Sequence, residues 1–317
     1  MSEVEASEWQ KRIAGEWHGR PSLFDAEGNH VGFERIARAS VVENGETSYW
    51  MKSQLEGSGP LRNRLEVGAT FDFGIVDSDE NRVYVGPDFF GTGQPYGTLV
   101  DANYYSPAWQ ADMHTWNQVL PDGDTQVYSS ILYDGWSVVA LFNGVYTRTF
   151  DHETNPETQA YVEDWIAAET RRGPVPQVLP TKEAGTYAGT LAVVGEDQKP
   201  VGEVAVRIEH EPVGLRTVRH RVTWTGALER SYTYERQRDG ARVLYEGPEV
   251  YGNAMTFGRA VFTNQHLVGP DLTGVEKIRG REYVLDPETR DLAVVWRLFH
   301  GDRTTHFVHG LLTWEPR

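Results

Sequence analysis

The sequence predicts an all-β protein with two tandem antiparallel up-and-down β-barrels and short helices. Short runs rich in Val, Tyr, Phe, Trp and Thr alternate with Gly, Pro, Asn and Asp along most of the chain. Three blocks of sequence recur in the same order in the two halves. The length of 317 residues is suited to two domains of about 150 residues. Consecutive hairpins dispose of their unpaired edges most simply by closing into barrels.

The first half begins with a predicted helix over 2–13, in which Trp9 and Ile13 lie four residues apart. Turn signals such as Pro121-Asp122-Gly123 then separate about nine predicted strands. The segment 104–116 is interrupted by Pro107, and we expect it to form a loop over the barrel mouth. The predicted strands are 17–24, 32–42, 47–55, 65–76, 82–85, 97–104, 114–120, 125–132 and 137–150.

A helix and a linker are predicted between the halves. Asn155-Pro156-Glu157 supplies an N-cap, a first helical residue and a first-turn acid for a helix that ends at Gly173. The prolines of 173–180 continue neither helix nor central strand. The predicted domains are therefore an N-terminal barrel (1–152), a helix and Pro-rich linker (153–183) and a C-terminal barrel (184–317).

The recurring blocks predict that the two halves arose by duplication. Their order is the same in both halves, and each block keeps its internal spacing. Residues 14–19 (AGEWHG) recur as 184–189 (AGTYAG), 86–91 (GPDFFG) as 247–252 (GPEVYG), and 132–135 (LYDG) as 298–301 (LFHG).

Composition excludes several classes of function. The 46 acidic and 30 basic residues give a net charge of −16, which repels nucleic acids and anionic membranes. The sequence has no cysteine, so disulfides and thiolate metal sites are excluded. An acidic N-terminus without an apolar segment predicts a cytoplasmic protein. Phosphate-binding glycine loops, Gly-x-Ser-x-Gly and His-Glu-x-x-His are absent, which removes most familiar enzyme classes.

Gly15-x-Trp17-x-Gly19, after a short helix, resembles the signature of the calycins, which include lipocalins, fatty-acid-binding proteins and nitrobindins. The resemblance implies that the helix plugs the barrel base and that Trp17 packs across it. Tyr187 replaces the tryptophan in the second half. Tandem calycin halves are similar to two-barrel hydratases and lipocalin-like cyclases, including Diels–Alderases, and to bacterial relatives of phycobiliprotein lyases. These relatives handle hydrophobic, extended small molecules.

Three residues are candidates for catalysis. Tyr146 and Arg148 lie two apart on a strand, so they point to the same side. If that side is the interior, the pair can bind a carboxylate or an enolate; the alternative is that Arg148 lies outside or near the strand end. His114, beside Asp112 in the predicted loop, is a candidate acid or base.

The first half is also the more aromatic. Residues 86–136 contain ten aromatic side chains, whereas the corresponding 247–301 contains six. Aromatic walls suit an apolar ligand, although an ordinary barrel core is the alternative. The predicted ligand-binding residues are Phe90, Tyr96, Tyr104, Trp109, Trp116, Tyr133 and Trp136.

No metal site is predicted. His306 and His309 lie three apart, and on a strand such residues face opposite sides. They cannot share one metal ion, but either could be an axial ligand of haem, as resemblance to nitrobindins would imply.

The leading hypothesis is an enzyme that binds a hydrophobic polyketide or isoprenoid in a barrel pocket, without a cofactor. It would promote cyclisation of the Diels–Alder type, isomerisation or hydration by holding a reactive geometry and excluding water. The alternatives are a non-catalytic carrier or chaperone of a lipid, bilin or other apolar ligand, a haem-binding barrel, and a structural interaction protein. The expected partner is a hydrophobic small molecule, and a homodimer is left open.

Overall fold

The computed structural model describes residues 6–43, 46–56, 61, 63–65, 68–148, 163, 167, 183–268, 276–286 and 288–317. The chain divides into two compact units, Met1–Gly173 and Pro174–Arg317. The predicted helix ending at Gly173 and the Pro-rich linker lie outside the described residues, apart from 163 and 167.

The first unit begins with helix α1 (Glu8–Ile13). The Ser7 hydroxyl caps this helix by accepting a hydrogen bond of 3.0 Å from the Gln10 backbone amide. Ser7 also donates through its amide and its hydroxyl to the Asp77 carboxylate, at 2.9 Å each. The start of α1 is therefore fixed both by a cap and by a contact with the barrel.

In the described part of the chain, no helix is long and apolar enough to cross a membrane.

The first unit is a closed antiparallel barrel. Strands β1 and β2 each pair with both β3 and β11, so they are two parts of one strand interrupted at Arg20 and Pro21. The barrel therefore has ten strands in up-and-down order. Its strands are β1 (Gly15–Gly19), β2 (Ser22–Phe24), β3 (His30–Glu43), β4 (Glu46–Glu56), β5 (Gly68–Asp77), β6 (Arg82–Val85), β7 (Phe90–Tyr96), β8 (Leu99–Ser106), β9 (Ala111–Val119), β10 (Thr125–Asp134) and β11 (Ser137–Thr147).

Strand β7 is missing from the sequence-based prediction. It contains Gly91, Gly93 and Pro95, residue types that the prediction took as turn signals. Gly91 is required by close packing, because a Cβ atom there would lie 2.2 Å from the carbonyl oxygen of Asn103 on β8.

The predicted loop over 104–116 is wrong. Strand β8 continues to Ser106, a tight turn follows, and β9 begins at Ala111. The turn is closed by Gln110, whose φ of 48° is left-handed. Trp109 turns inward and stacks on Phe142, with ring centroids 5.5 Å apart. The proline and the aromatic residues belong to a hairpin and its core, and not to a lid.

The second unit is also a closed ten-stranded antiparallel barrel in up-and-down order. The predicted all-β fold of two tandem barrels is thus confirmed. Its strands are β12 (Gly185–Gly195), β13 (Pro200–Pro212), β14 (Thr217–Gly226), β15 (Arg230–Asp239), β16 (Arg242–Glu246), β17 (Val250–Phe257), β18 (Ala260–Leu267), β19 (Glu276–Val284), β20 (Leu292–His300) and β21 (Arg303–Pro316).

Strand pairing defines equivalent positions in the two barrels. Trp17 on β1 lies opposite Arg38 on β3. Its counterpart Tyr187 on β12 lies opposite Ile208 on β13. Arg38 and Ile208 therefore occupy the same place in the two barrels.

Candidate functional site

A cavity lies inside the first barrel at the end covered by α1. The centres of water molecules can occupy about 60 Å³ inside it. Trp9 and Ile13 of α1 contribute to its wall, together with Phe73 and Phe89. Five tyrosines also line it, namely Tyr49, Tyr84, Tyr104, Tyr128 and Tyr146.

Arg38 and Arg82 are the charged residues that line this cavity, and Arg82 is already paired with Asp77, with Nη1 2.5 Å from Oδ1. Arg38 is the one of the two that has no ion pair among the described residues. It follows Ile36 on the inner face of β3, and both side chains line the cavity. Its Nη2 atom donates to Asn117 Oδ1 at 3.3 Å and to the side-chain oxygen of Gln126. Its Cζ atom lies 4.3 Å from the ring centroid of Tyr146.

Two neighbours of Arg38 carry polar atoms without a partner. Gln126 and Tyr146 face each other across β10 and β11, and both side chains are completely buried. Gln126 Nε2 and the Tyr146 hydroxyl have no hydrogen-bond partner in the part of the chain that the structure describes. A buried donor without an acceptor costs about 1–3 kcal/mol. Together with Arg38 these donors complement an oxygen atom that carries negative charge.

The hydroxyls of Tyr104, Tyr128 and Tyr146 remain neutral at physiological pH, because burial raises the pKa of each above the ordinary tyrosine value. The Tyr104 hydroxyl lies 2.9 Å from Thr115 Oγ1, which in turn lies 2.8 Å from Ser130 Oγ. These three tyrosines therefore present hydroxyl groups to the cavity and not phenolates.

Glu34 is a buried acid that the sequence analysis missed. It precedes Ile36 by two residues, so it lies on the same inner face of β3 as Arg38. Ser53 Oγ donates to Glu34 Oε1 at 2.6 Å, and Glu34 Oε2 is buried without a partner among the described residues. Burial raises the pKa of Glu34 to about 7, although the bond from Ser53 and the charge of Arg38 act in the opposite direction. The signal in the sequence was its spacing from Ile36 and Arg38.

Tyr104 and Tyr146 are the two predicted site residues that the structure brings together at the cavity. Arg148, the predicted partner of Tyr146, does not line it. Arg148 is half-buried, and its Cζ lies 4.0 Å from the ring centroid of Trp17. It donates to the carbonyl oxygens of Ala14 at 2.6 Å and Arg12 at 2.9 Å. It thus covers the base of the barrel from the strand end.

His114 and Trp116 lie on the outer face of β9 and not at the cavity. His114 Nε2 lies 2.6 Å from Asp101 Oδ1, and Trp116 Nε1 donates to the same oxygen at 3.0 Å. The partner of His114 is therefore Asp101 on β8 instead of the Asp112 that the sequence suggested.

The other predicted ligand-binding residues also lie away from the cavity wall. Phe90 is 66% exposed and Trp136 is fully exposed. Tyr96 is buried, and its hydroxyl donates to Gln94 at 3.2 Å. Tyr133 is partly exposed on β10, while Trp109 belongs to the hydrophobic core.

No metal site is found in the described ranges, where no three His, Asp or Glu residues are grouped closely enough to hold an ion. Val308 on β21 points into the core of the second barrel. His306, two residues before it, lies on the same face, whereas the adjacent His309 lies on the opposite face.

The second barrel neutralises its inner arginine. Arg236 Nη2 donates to both carboxylate oxygens of Glu282 at 2.8 Å, and both residues are buried. Asn117 on β9 pairs with Val100 on β8, and Glu282 on β19 pairs with Val261 on β18. Val100 and Val261 are corresponding residues of the two barrels, so Asn117 occupies the position of Glu282. The first barrel thus has an amide, Asn117, where the second has the carboxylate of Glu282. Each barrel also has an inner arginine.

Two tryptophans fill the middle of the second barrel. Trp224 and Trp296 stack with ring centroids 5.3 Å apart and an interplanar angle of 16°. By strand pairing, their counterparts in the first barrel are Ser53 and Ser130. The interior of the first barrel is accordingly more polar at these positions.

Several solved structures are similar to this chain to different degrees. A protein of unknown function from the DUF3598 family of Nostoc punctiforme matches with a TM-score of 0.55 and 12% identity, over 99% of this chain and 100% of that chain. The transferrin-binding protein B of Neisseria meningitidis matches with a TM-score of 0.28 and 6% identity, over 96% and 76%. Kievitone hydratase from Nectria haematococca matches with a TM-score of 0.17 and 8% identity, over 99% and 94%.

The first of these matches supports the fold alone, and the other two are too weak to carry an argument. The architecture, two tandem ten-stranded antiparallel barrels, is the one that the Gly-x-aromatic-x-Gly motif predicted. No protein-family model matches the sequence, and no curated protein is significantly similar to it.

Proposed function

We propose that the N-terminal barrel binds a small, mainly apolar molecule through one negatively charged or strongly polarised oxygen. The observation that carries this proposal is Arg38, a guanidinium at the cavity that is in no ion pair among the described residues. Glu34, the buried acid that its charge influences, has its pKa raised to about 7 and is therefore only partly ionised at neutral pH. A buried cation is costly without a compensating charge. A ligand oxygen at Arg38 would supply that charge, and it would also accept from Gln126 and Tyr146.

The second barrel supports this proposal as an internal comparison. There Glu282 neutralises Arg236, an inner arginine on β15 that is not at the position of Arg38. The first barrel has Asn117 at the position of Glu282, so its cation stays available to an external anion. The two barrels also differ in what fills their interiors, because Trp224 and Trp296 of the second barrel are replaced by Ser53 and Ser130 in the first.

The size of the cavity restricts the occupant. The space that the centres of water molecules can occupy in it is only about 60 Å³, which suits a compact molecule. An extended polyketide or isoprenoid would have to displace wall residues to enter. We therefore favour a compact ligand over the extended substrates that the calycin resemblance suggested.

Glu34 favours a second candidate function, a cofactor-independent isomerase, cyclase or hydratase. A carboxyl group with a pKa of about 7 is suited to proton transfer at neutral pH. Glu34 is not itself in the cavity wall, but it interacts with Tyr128 and Tyr146, which are. Arg38 would polarise a carbonyl oxygen of the substrate, and the buried site would exclude water. A carrier would bind the same ligand without turnover, so a Glu34→Gln variant that binds normally but no longer turns substrate over would identify the enzyme.

Calorimetric titration of the full chain with small carboxylic acids and the matching alcohols tests the proposal. Benzoate and hexanoate are the acids, and benzyl alcohol and hexanol are their neutral controls. We expect at least one acid to bind tenfold or more tightly than its alcohol, and this preference to disappear in Arg38→Met. Equal affinity for acids and alcohols would refute a site organised around Arg38.

A further inference from the structure

The wall of the cavity is a continuous cluster of aromatic rings. Phe73 lies at its centre, with its ring centroid 4.7 Å from Tyr49, 5.8 Å from Tyr84 and 5.1 Å from Phe89. Tyr104 closes the cluster at 5.3 Å from Phe89, with an interplanar angle of 89°. These edge and face arrangements are the ones that aromatic rings prefer with one another.

Most of the rings and most of the donors come from different arcs of the barrel. Tyr49 joins the two arcs, because its hydroxyl accepts a hydrogen bond from Arg38. The aromatic cluster is supplied by β4, β5, β6, β8 and the turn that follows β6. Arg38 lies on β3, and the groups around it lie on β9, β10 and β11. These three strands lie on the side of β3 away from β4, because β11 is joined to β3 through β1 and β2. A ligand that satisfies both arcs has an anionic end and an aromatic end.

The cavity limits the distance between those two ends. The space that the centres of water molecules can occupy in it is about 60 Å³. One six-membered ring with a carboxylate on a linker of one or two carbons suits this space better than a long alkyl chain does.

We infer that the ligand of the N-terminal barrel is a compact aromatic carboxylate, with its carboxylate at Arg38 and its ring against the cluster around Phe73. This inference rests on the proposed function, since it assumes that Arg38 binds an anion. A ring gains contacts of suitable geometry with the wall, and each aromatic pair contributes about 0.5–1.5 kcal/mol beyond the area it buries.

Titration of the full chain with 3-phenylpropanoate and 3-cyclohexylpropanoate tests the inference, because these acids differ in the aromaticity of the ring and share the linker and the charge. We expect 3-phenylpropanoate to bind at least tenfold more tightly. In Phe73→Leu this ratio falls toward one. In the control Phe90→Leu, which removes an exposed ring from the outer face, the ratio is unchanged.

The outcomes separate the inference from the proposed function. Equal or tighter binding of the cyclohexyl acid by the unaltered protein overturns the inference, and if both acids still require Arg38 the proposed function stands. Absence of binding by either acid overturns the inference, whereas the proposed function is decided separately by the titration with benzoate, hexanoate and their alcohols. The ratio in the unaltered protein decides the inference by itself if Phe73→Leu does not fold.

Discussion

Substitution of Asn117 by Glu should convert the first barrel to the closed arrangement of the second. Asn117 Oδ1 already lies 3.3 Å from Arg38 Nη2, and a glutamate is one methylene longer, so its carboxylate reaches the guanidinium. The second barrel holds an inner arginine in this way, although Arg236 lies on β15 and not at the position of Arg38, and its contacts with Glu282 are 2.8 Å. The new carboxylate would occupy the position of the ligand anion and repel it.

The expected loss of affinity follows from the bond that the ligand forfeits. A hydrogen bond to a charged group contributes about 1.5–3 kcal/mol, which corresponds to roughly a 10- to 150-fold weaker Kd. Isothermal titration calorimetry with 3-phenylpropanoate measures this change directly. The control is Asn117→Gln, which has the size of Glu without its charge and should bind within about threefold of the unaltered protein. Unchanged affinity in Asn117→Glu, or an equal loss in both variants, would refute the reasoning.

Three further predictions concern stability. Because the native pKa of Glu34 is raised from 4.5 to about 7, the folded protein binds more protons than the unfolded chain between these values, and stability falls as pH rises through this window. Glu34→Gln should remove this penalty of about 3 kcal/mol above pH 7 and be nearly neutral at pH 4.5, measured by urea unfolding at both pH values. Glu282→Gln should destabilise the protein by about 3–5 kcal/mol, because Arg236 is left buried and uncompensated. Arg148→Met should cost about 1 kcal/mol through its lost contact with Trp17 and leave ligand affinity unchanged.

Each stability prediction has its own contradiction. An identical pH dependence in the unaltered protein and in Glu34→Gln would show that this carboxyl does not titrate in the window. A fully stable Glu282→Gln would show that Arg236 finds another partner. Loss of ligand binding in Arg148→Met, measured by the same titration, would place Arg148 in the site and not at the barrel base.

The fold was predictable because hairpin signals and the internal repeat are local or periodic features. Strand β7 escaped prediction because Gly91 and Gly93 serve close packing between strands, and that need appears only once the neighbouring strands are known. The turn before β9 was misjudged for a similar reason, since Trp109 was assigned to a surface loop while its contact with Phe142 is distant in sequence.

The site was predictable only in part, because the sequence does not show which face of each strand lies inside. Phe89 and Phe90 are adjacent aromatics, yet Phe89 lines the cavity while Phe90 is exposed. On β3, Ala37 on the outer face is as buried as Ile36 on the inner face, so burial does not alternate and the inner position of Arg38 is hidden. The partners of Arg38 come from β9 and β10, which barrel closure alone brings to β3.

The central claim is that the anionic group of the ligand binds to the Arg38 guanidinium. NMR of the arginine side chains during titration with 3-phenylpropanoate tests it most directly, with the Arg38 signal assigned as the one that disappears in Arg38→Met. We expect the Arg38 signal to shift in proportion to occupancy, while the signal of Arg236, already paired with Glu282, stays in place. A binding isotherm that leaves the Arg38 signal unmoved would contradict the account.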